Sequence, residues 1–419
     1  MKHQIFKNVG IYATLIVGLF VALVIVYVPS NGRINAHMPN TEQVWQNEGT
    51  YPVLNTRDSG SRLDSFTDRI MISETVKSHN NPVYSAMDSN GYARYWHGYL
   101  LWLRPLLMFM SYGSVRELYA VIVLLLVVLN GYMIAKRLDL FAAVAFGIAL
   151  AFQRFFAISI NMQFANVFII CLVANLIVLS VDDDHYQKWH PFLFFLIVGT
   201  VTNFVDLLTA PMITLGVPLM IMIYRDFVSD KAQTFQKRLV QFLVSCLGWG
   251  IGYGVTWFLK WLFASFVTGR NVIQEALTEV LFRSGGVGRG GQFPVHRVAM
   301  LKSNLTFEFS SGNKLIMALV ILVSLACLVV AVSHTRRLRI PWQEIGLFVV
   351  GASLPIIWFM VLANHSEIHV WFTYRELMIL TFALLLADAA LLNCNLATSE
   401  NSLSDSTDPG KRRAEDFRS

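Results

Sequence analysis

Residues 11–28 read IYATLIVGLFVALVIVYV, an apolar run of 18 residues without a charge. A helix of that length rises about 27 Å, close to the hydrocarbon thickness of a bilayer. Lys2 and Lys7 precede the run and Pro29-Ser30-Asn31 follow it. It is longer than a usual signal-peptide core, and no small-x-small cleavage pattern closes it. It therefore reads as a retained signal anchor with a cytoplasmic N-terminus.

Nine more apolar runs follow at 115–135, 140–152, 163–180, 192–205, 208–224, 239–266, 315–333, 345–363 and 377–393. The expected fold is an all-α polytopic membrane protein with about ten transmembrane helices. Three runs (140–152, 192–205 and 208–224) are short, as in tilted pairs or half-spans buried against other helices. Composition agrees: of 419 residues, 55% are hydrophobic and only 14% charged, where a soluble chain carries roughly 25%.

Charge placement gives an independent test. With the N-terminus inside, ten crossings put Lys136, Arg137, Lys188, Arg225, Lys231, Lys237, Arg238, Arg336, Arg337, Arg339, Lys411, Arg412 and Arg413 in cytoplasmic connections. Only the turn holding Asp182, Asp183 and Asp184 departs from short and basic. The net charge of +6 is thereby explained by the positive-inside rule, with no basic-aromatic groove to imply nucleic acid. The four cysteines (Cys171, Cys246, Cys327 and Cys394) lie in or at the ends of apolar runs and read as small buried hydrophobes.

The same count leaves outer segments 29–114, 267–314 and 364–376 on a single transmembrane domain, 1–397. Residues 398–419, rich in Ser, Asp and Lys, read as a disordered cytoplasmic tail.

Polar residues concentrate in the outer segments. From Leu63 a juxtamembrane helix is expected, with Leu63, Phe66 and Ile70 on one face and Asp64 and Asp68 on another. Two carboxylates on one face can divide into base and supporter; equally, Asp64 can cap the helix and Asp68 be solvated. Asp58 precedes them. Further along, Arg94, Tyr95, Trp96, His97 and Arg104 suit either an interfacial aromatic belt or an anionic headgroup with a stacked sugar. Asp206 sits in apolar company at the outer boundary, where a carboxylate is costly without a partner.

The glycine stretch Arg283-Ser284-Gly285-Gly286-Val287-Gly288-Arg289-Gly290-Gly291 lacks P-loop order and reads as a flexible linker. The last outer segment holds His365, His369, Trp371, Tyr374 and Arg375. The two histidines share a helical face without HExxH order or a third ligand, so zinc is not expected; substrate or phosphate binding is.

The stretch Leu63-Asp64-Ser65-Phe66-Thr67-Asp68 resembles the first-loop Asp-x-aromatic segment of the GT-C membrane glycosyltransferases. Residues 94–99, 203–211 and 364–369 are similar to segments of bacterial members. Size and span count resemble the phage-type O-antigen glucosyltransferases that convert serotype. The adjacent acidic pair of protein mannosyltransferase-like members is missing, which leaves the choice among the first-loop aspartates open.

The resemblance implies sugar transfer from a polyprenyl-phosphate donor to a glycan or lipid-linked acceptor at the periplasmic face of a bacterial inner membrane. It implies a carboxylate base, Asp64 first, with Asp68, Asp58 or Asp206 as supporter or substitute. The donor phosphate would meet Arg94, His97, Arg104, His365, His369, Tyr374 and Arg375, while Tyr95, Trp96 and Trp371 stack on sugar. No cofactor is required, though a divalent metal is admitted. Membrane lipids, a donor-making glycosyltransferase and a flippase are the expected partners, with no nucleic acid. The competing reading is a polyprenyl-lipid or small-molecule transporter, for which Lys260, Asp388 and the 248–254 glycine run are the intramembrane candidates.

Overall fold

The computed structural model describes residues 2–186, 190–229, 234–288, 290–309, 313–333 and 339–407. Lys188, Lys231, Arg289, Arg336, Arg337 and residues 408–419 of the expected tail lie outside them. The described chain is helical apart from a small hairpin, Val287–Gly288 against Gly291–Gln292, and one bridge between Val53 and Arg62.

Seven helices are long and apolar enough to cross a membrane: Phe6–Val26, Tyr112–Arg137, Met162–Ser180, Phe235–Thr268, Lys314–Ser333, Trp342–Val361 and Val370–Leu396. Three shorter apolar helices complete the set: Leu140–Phe152, Pro191–Val205 and Ile213–Val228. Each of the ten apolar runs holds a helix, and the same three are short, though the 208–224 run enters its helix only at Ile213, after a bent stretch from Leu208 to Met212. A helix of 13 residues rises only about 20 Å, and a short helix is tolerated at membrane depth only where protein surrounds it. Ile213–Val228 meets that condition, being buried from Ile213 to Asp226. The long helices instead present Val121, Leu125, Val128, Leu322 and Val329 outward, as a lipid-facing wall requires.

Two of the four 248–254 glycines serve packing. A Cβ at Gly248 would strike the Phe192 carbonyl oxygen, and one at Gly252 the Leu196 carbonyl oxygen. Small residues four apart let Phe235–Thr268 lie backbone to backbone against Pro191–Val205. Lys260, on the same long helix, is buried and donates to the carbonyls of Ala86 (3.1 Å) and Met87 (2.9 Å).

Among the basic connections, Asp139 accepts from Tyr224 (2.6 Å) and Asn393 (2.9 Å), Arg225 reaches the Val178 carbonyl, and Arg238 pairs with Glu344 at 2.9 Å. The segments 29–114, 267–314 and 364–376 come together, Tyr374 on the Gly60 carbonyl and Asn304 on the Ser366 carbonyl. The first carries helices Gly32–Glu48, Ser65–Ser73, Pro82–Asp88 and Leu100–Leu107. The expected linker after Arg283 is shorter than its glycines imply, because helix Val272–Gly285 consumes the first of them and the hairpin follows. At the C-terminus the helix continues to Thr407, past the expected boundary at 397; no Pro or Gly interrupts the sequence before Pro409.

Candidate functional site

The first and last outer segments meet around Asp64. This residue is the N-cap of helix Ser65–Ser73, accepting the Thr67 amide at 2.9 Å, so the capping expected from the sequence is real. The cap occupies one oxygen. The residue is 1% exposed, and burial pushes its carboxyl above the usual range, while the Thr67 donors and the facing Trp371 and Arg375 oppose that shift. Trp371 stands edge-on to Tyr51 (5.6 Å) with the Arg62 guanidinium over its other side at 5.8 Å. Tyr51 is 41% exposed, so this aromatic pair forms a rim that covers the buried Asp64.

Arg375 is fully buried. Its Nη1 donates to the Trp371 carbonyl (2.7 Å), its Nη2 leans on the Gly60 carbonyl (3.5 Å), and its Nε has no partner. The Tyr374 hydroxyl donates to the same Gly60 carbonyl at 3.0 Å. One backbone oxygen of the first loop therefore fixes two side chains of the last.

Behind them lies an ion pair that the sequence reading did not single out. Arg154, between Leu140–Phe152 and Phe155–Ser159, sends Nε and Nη2 to the two carboxylate oxygens of Asp58 at 3.1 and 3.0 Å. Its backbone sits at φ +54, a conformation rare outside glycine. Gly60 is required beside it: a Cβ there would lie 2.5 Å from the Arg154 Cζ. Glu308, from helix Arg297–Phe309, completes the cluster by accepting from Gln153 (2.7 Å) and Thr381 (3.2 Å). The sequence signal for Arg154 was a lone Gln-Arg pair between apolar runs, and for Glu308 one of three acids in a polar segment, with Glu275 and Glu279.

Next to the Asp58–Arg154 pair a cavity of about 560 Å³ opens. Val127, Leu150, Phe155, Phe156 and Ile316 give it apolar walls; Asp58, Arg154 and Asn313 give it a polar head. Phe156 is exposed, so the cavity opens on the face directed at lipid.

The other expected site residues are placed away from this point or are committed to structure. Asp68 is buried and accepts from the Tyr112 hydroxyl (2.8 Å) and the amides of Met162 (3.1 Å) and Gln163 (3.0 Å). It thus caps the helix Met162–Ser180, which is why it is not solvated; burial pushes it up to about 7 against those donors. Arg104 grips the carbonyls of Val26, Pro29 and Thr75 and the Asn31 amide oxygen, tying off the first span. His97, at φ +55, bonds Tyr99 and the Tyr92 carbonyl and is driven down to about 3 by burial, so it carries no charge for a phosphate.

Trp96 donates to the Thr256 carbonyl, and Tyr95 packs on Tyr92 and Trp257. Arg94 lies over the Tyr92 ring at 5.0 Å. Asp206 accepts the Thr209 amide at 3.0 Å, is pushed up to about 6 by burial, and neighbours Glu376, which accepts the Met212 amide. His365 donates from Nε2 to the Leu208 carbonyl (2.9 Å) and receives Arg283 at Nδ1 (2.6 Å); burial and that guanidinium hold it neutral. His369 lies 4.9 Å from the His365 ring and stacks on Phe372. Among the described residues no group of three or more His, Cys, Asp or Glu side chains is arranged to hold a metal.

No protein-family model, curated protein or solved structure matches the chain.

Proposed function

We propose that this chain is an integral-membrane glycosyltransferase that takes a sugar from a polyprenyl-phosphate donor at the periplasmic face of a bacterial inner membrane. On this reading ten helices cross, both termini are cytoplasmic, and the acceptor is a cell-surface glycan or lipid-linked saccharide. The observation that carries it is the meeting of a buried, raised carboxyl (Asp64) with Arg375 behind an aromatic rim, next to an amphipathic cavity open to lipid.

The chemistry follows from those groups. The free oxygen of Asp64 takes the proton from the acceptor hydroxyl as that oxygen attacks the anomeric carbon. The bond from that carbon to the phosphate oxygen breaks with inversion, and polyprenyl phosphate leaves. A base with a pKa raised toward the working pH transfers protons well, and a preorganised guanidinium offsets the charge developing on the leaving phosphate. The cavity suits an isoprenoid chain and Arg154 its phosphate end, once Asp58 yields part of its hold. The transporter alternative is weakened because Lys260 is spent on carbonyls of helix Pro82–Asp88 and two glycines of the run, Gly248 and Gly252, on packing.

The test is transfer of labelled sugar from a polyprenyl-phosphate donor in membranes carrying the protein. Transfer by the wild type and none by Asp64→Asn supports the reading; equal transfer by both removes Asp64 as base.

A further inference from the structure

Glu308 is 0% exposed, and one of its oxygens, Oε2, has no partner. Its charged and titratable neighbours come from two sides: Arg154 from the junction after Leu140–Phe152, and Tyr374 and Arg375 from the last segment; Asp58 stands beyond them, on Arg154 and Tyr374. Two guanidiniums are thus within electrostatic reach, yet neither donates to the Glu308 carboxyl. Arg154 gives its fork to Asp58 and only a 3.4 Å contact to the Glu308 backbone carbonyl. Arg375 gives its donors to Trp371 and Gly60. The Glu308 carboxyl takes two neutral donors, Gln153 and Thr381. An ionised carboxylate in this position would draw a guanidinium into a bidentate pair, the strongest hydrogen bond open to it; a protonated one has no such claim.

We propose that Glu308 is a positioning residue of the Asp64–Arg375 site and that it acts in its protonated form, leaving both guanidiniums to their own partners. The activity test rests on the glycosyltransferase reading of that site. The linkage is mechanical. Arg154 packs on Gly60, and the Gly60 carbonyl holds Tyr374 and Arg375, which faces Asp64. Ionised Glu308 competes with Asp58 for Arg154; turning that guanidinium unseats Gly60 and with it Arg375. Burial pushes Glu308 up to about 8, with Arg154 and the Gln153 donor opposing. The proton is therefore held at neutral pH and lost as the pH rises through that value.

The test uses the full-length chain in lipid nanodiscs. The infrared difference between wild type and Glu308→Gln, in which the bands of the other buried acids such as Asp68, Glu74 and Glu376 cancel, should show a protonated-carboxyl band that disappears near pH 8. Because Gln mimics the neutral acid, Glu308→Gln should keep transfer within about threefold of wild type at pH 7. It should also abolish the alkaline fall that costs the wild type about tenfold per pH unit above the midpoint. Glu308→Ala, which leaves Gln153 and Thr381 without an acceptor, should lose more than about tenfold. An inactive but folded Glu308→Gln, or one with the wild-type alkaline fall, overturns the proposal, as does a difference spectrum with no such band. If the wild type transfers no sugar at any pH, the glycosyltransferase reading fails, and the infrared band still decides the state of Glu308.

Discussion

Asp64 uses one oxygen to cap a helix, and the proposed function assigns the other to chemistry, so the two roles can be separated by substitution. Asn caps a helix about as well as Asp, so Asp64→Asn should fold and insert normally while losing transfer. Asp64→Ala should lose transfer and also about 1 kcal/mol of stability with the cap, read as a lower unfolding temperature in detergent. The Asp58–Arg154 pair behaves differently because both partners are buried. Asp58→Ala leaves a guanidinium in the interior without its carboxylate, which costs about 3–5 kcal/mol. Asp58→Ala with Arg154→Met should recover most of that stability and none of the activity; a double variant no more stable than the single one would refute the pairing argument. At this scale the sequence disclosed what is local: Asp64 as the head of an amphipathic segment, where it caps the helix, and Arg375 as a cation in a polar stretch between spans, without the Gly60 carbonyl it leans on. It did not disclose Arg154 and Glu308, because their meaning lies in partners 96 and 155 positions away along the chain (Asp58 and Gln153), which no periodicity encodes.

Among the elements, hydrophobic length was the most legible quantity. Each apolar run carries a helix because an unpaired backbone cannot remain in hydrocarbon, and this holds whatever the side chains do next. The helix Gly32–Glu48 was not legible: it is polar, has Pro39 inside it, and buries only Ile34, Thr41 and Trp45, so its stripe is too thin to read. Asp68 shows the same limit from the other side. A solvent-exposed partner for Asp64 and a buried cap for a distant helix look alike in sequence, since both need only a short acid on a helical face. The 248–254 glycines are interpretable only with their neighbour in place. Gly252→Leu should push Pro191–Val205 away from Phe235–Thr268, because the Leu196 carbonyl already fills the space a Cβ needs. The expected cost is about 1–3 kcal/mol or more from overpacking, read as a fall in unfolding temperature. Gly254→Leu, where a Cβ meets nothing, is the matched control and should leave stability nearly unchanged.

For the whole molecule, the sidedness of the connections is an expectation from positive-inside counting. Asp139, Tyr224 and Asn393 share hydrogen bonds, Arg225 reaches the Val178 carbonyl and Arg238 pairs with Glu344, while segments 29–114, 267–314 and 364–376 touch one another. The proposed function depends on which side each group faces, since a donor presented outside cannot reach a site that faces in. A labelling experiment decides it. Of the four native cysteines, Cys171 and Cys327 are buried and Cys246 and Cys394 half-buried, so replacing all four gives a quiet background. Ser78→Cys places a thiol in the first outer segment, and Ser180→Cys one at the far end of Met162–Ser180; both positions are exposed. A membrane-impermeant maleimide added to intact spheroplasts should modify position 78 at once and position 180 only after the membrane is opened. Labelling of both in intact cells would mean that Leu140–Phe152, the one of the three short apolar helices that lies between the two positions, does not cross and the parity is broken. Labelling of 180 alone would invert the molecule and place Asp64 on the same side as nucleotide-sugar donors, which would replace the polyprenyl-phosphate reading with a cytoplasmic one.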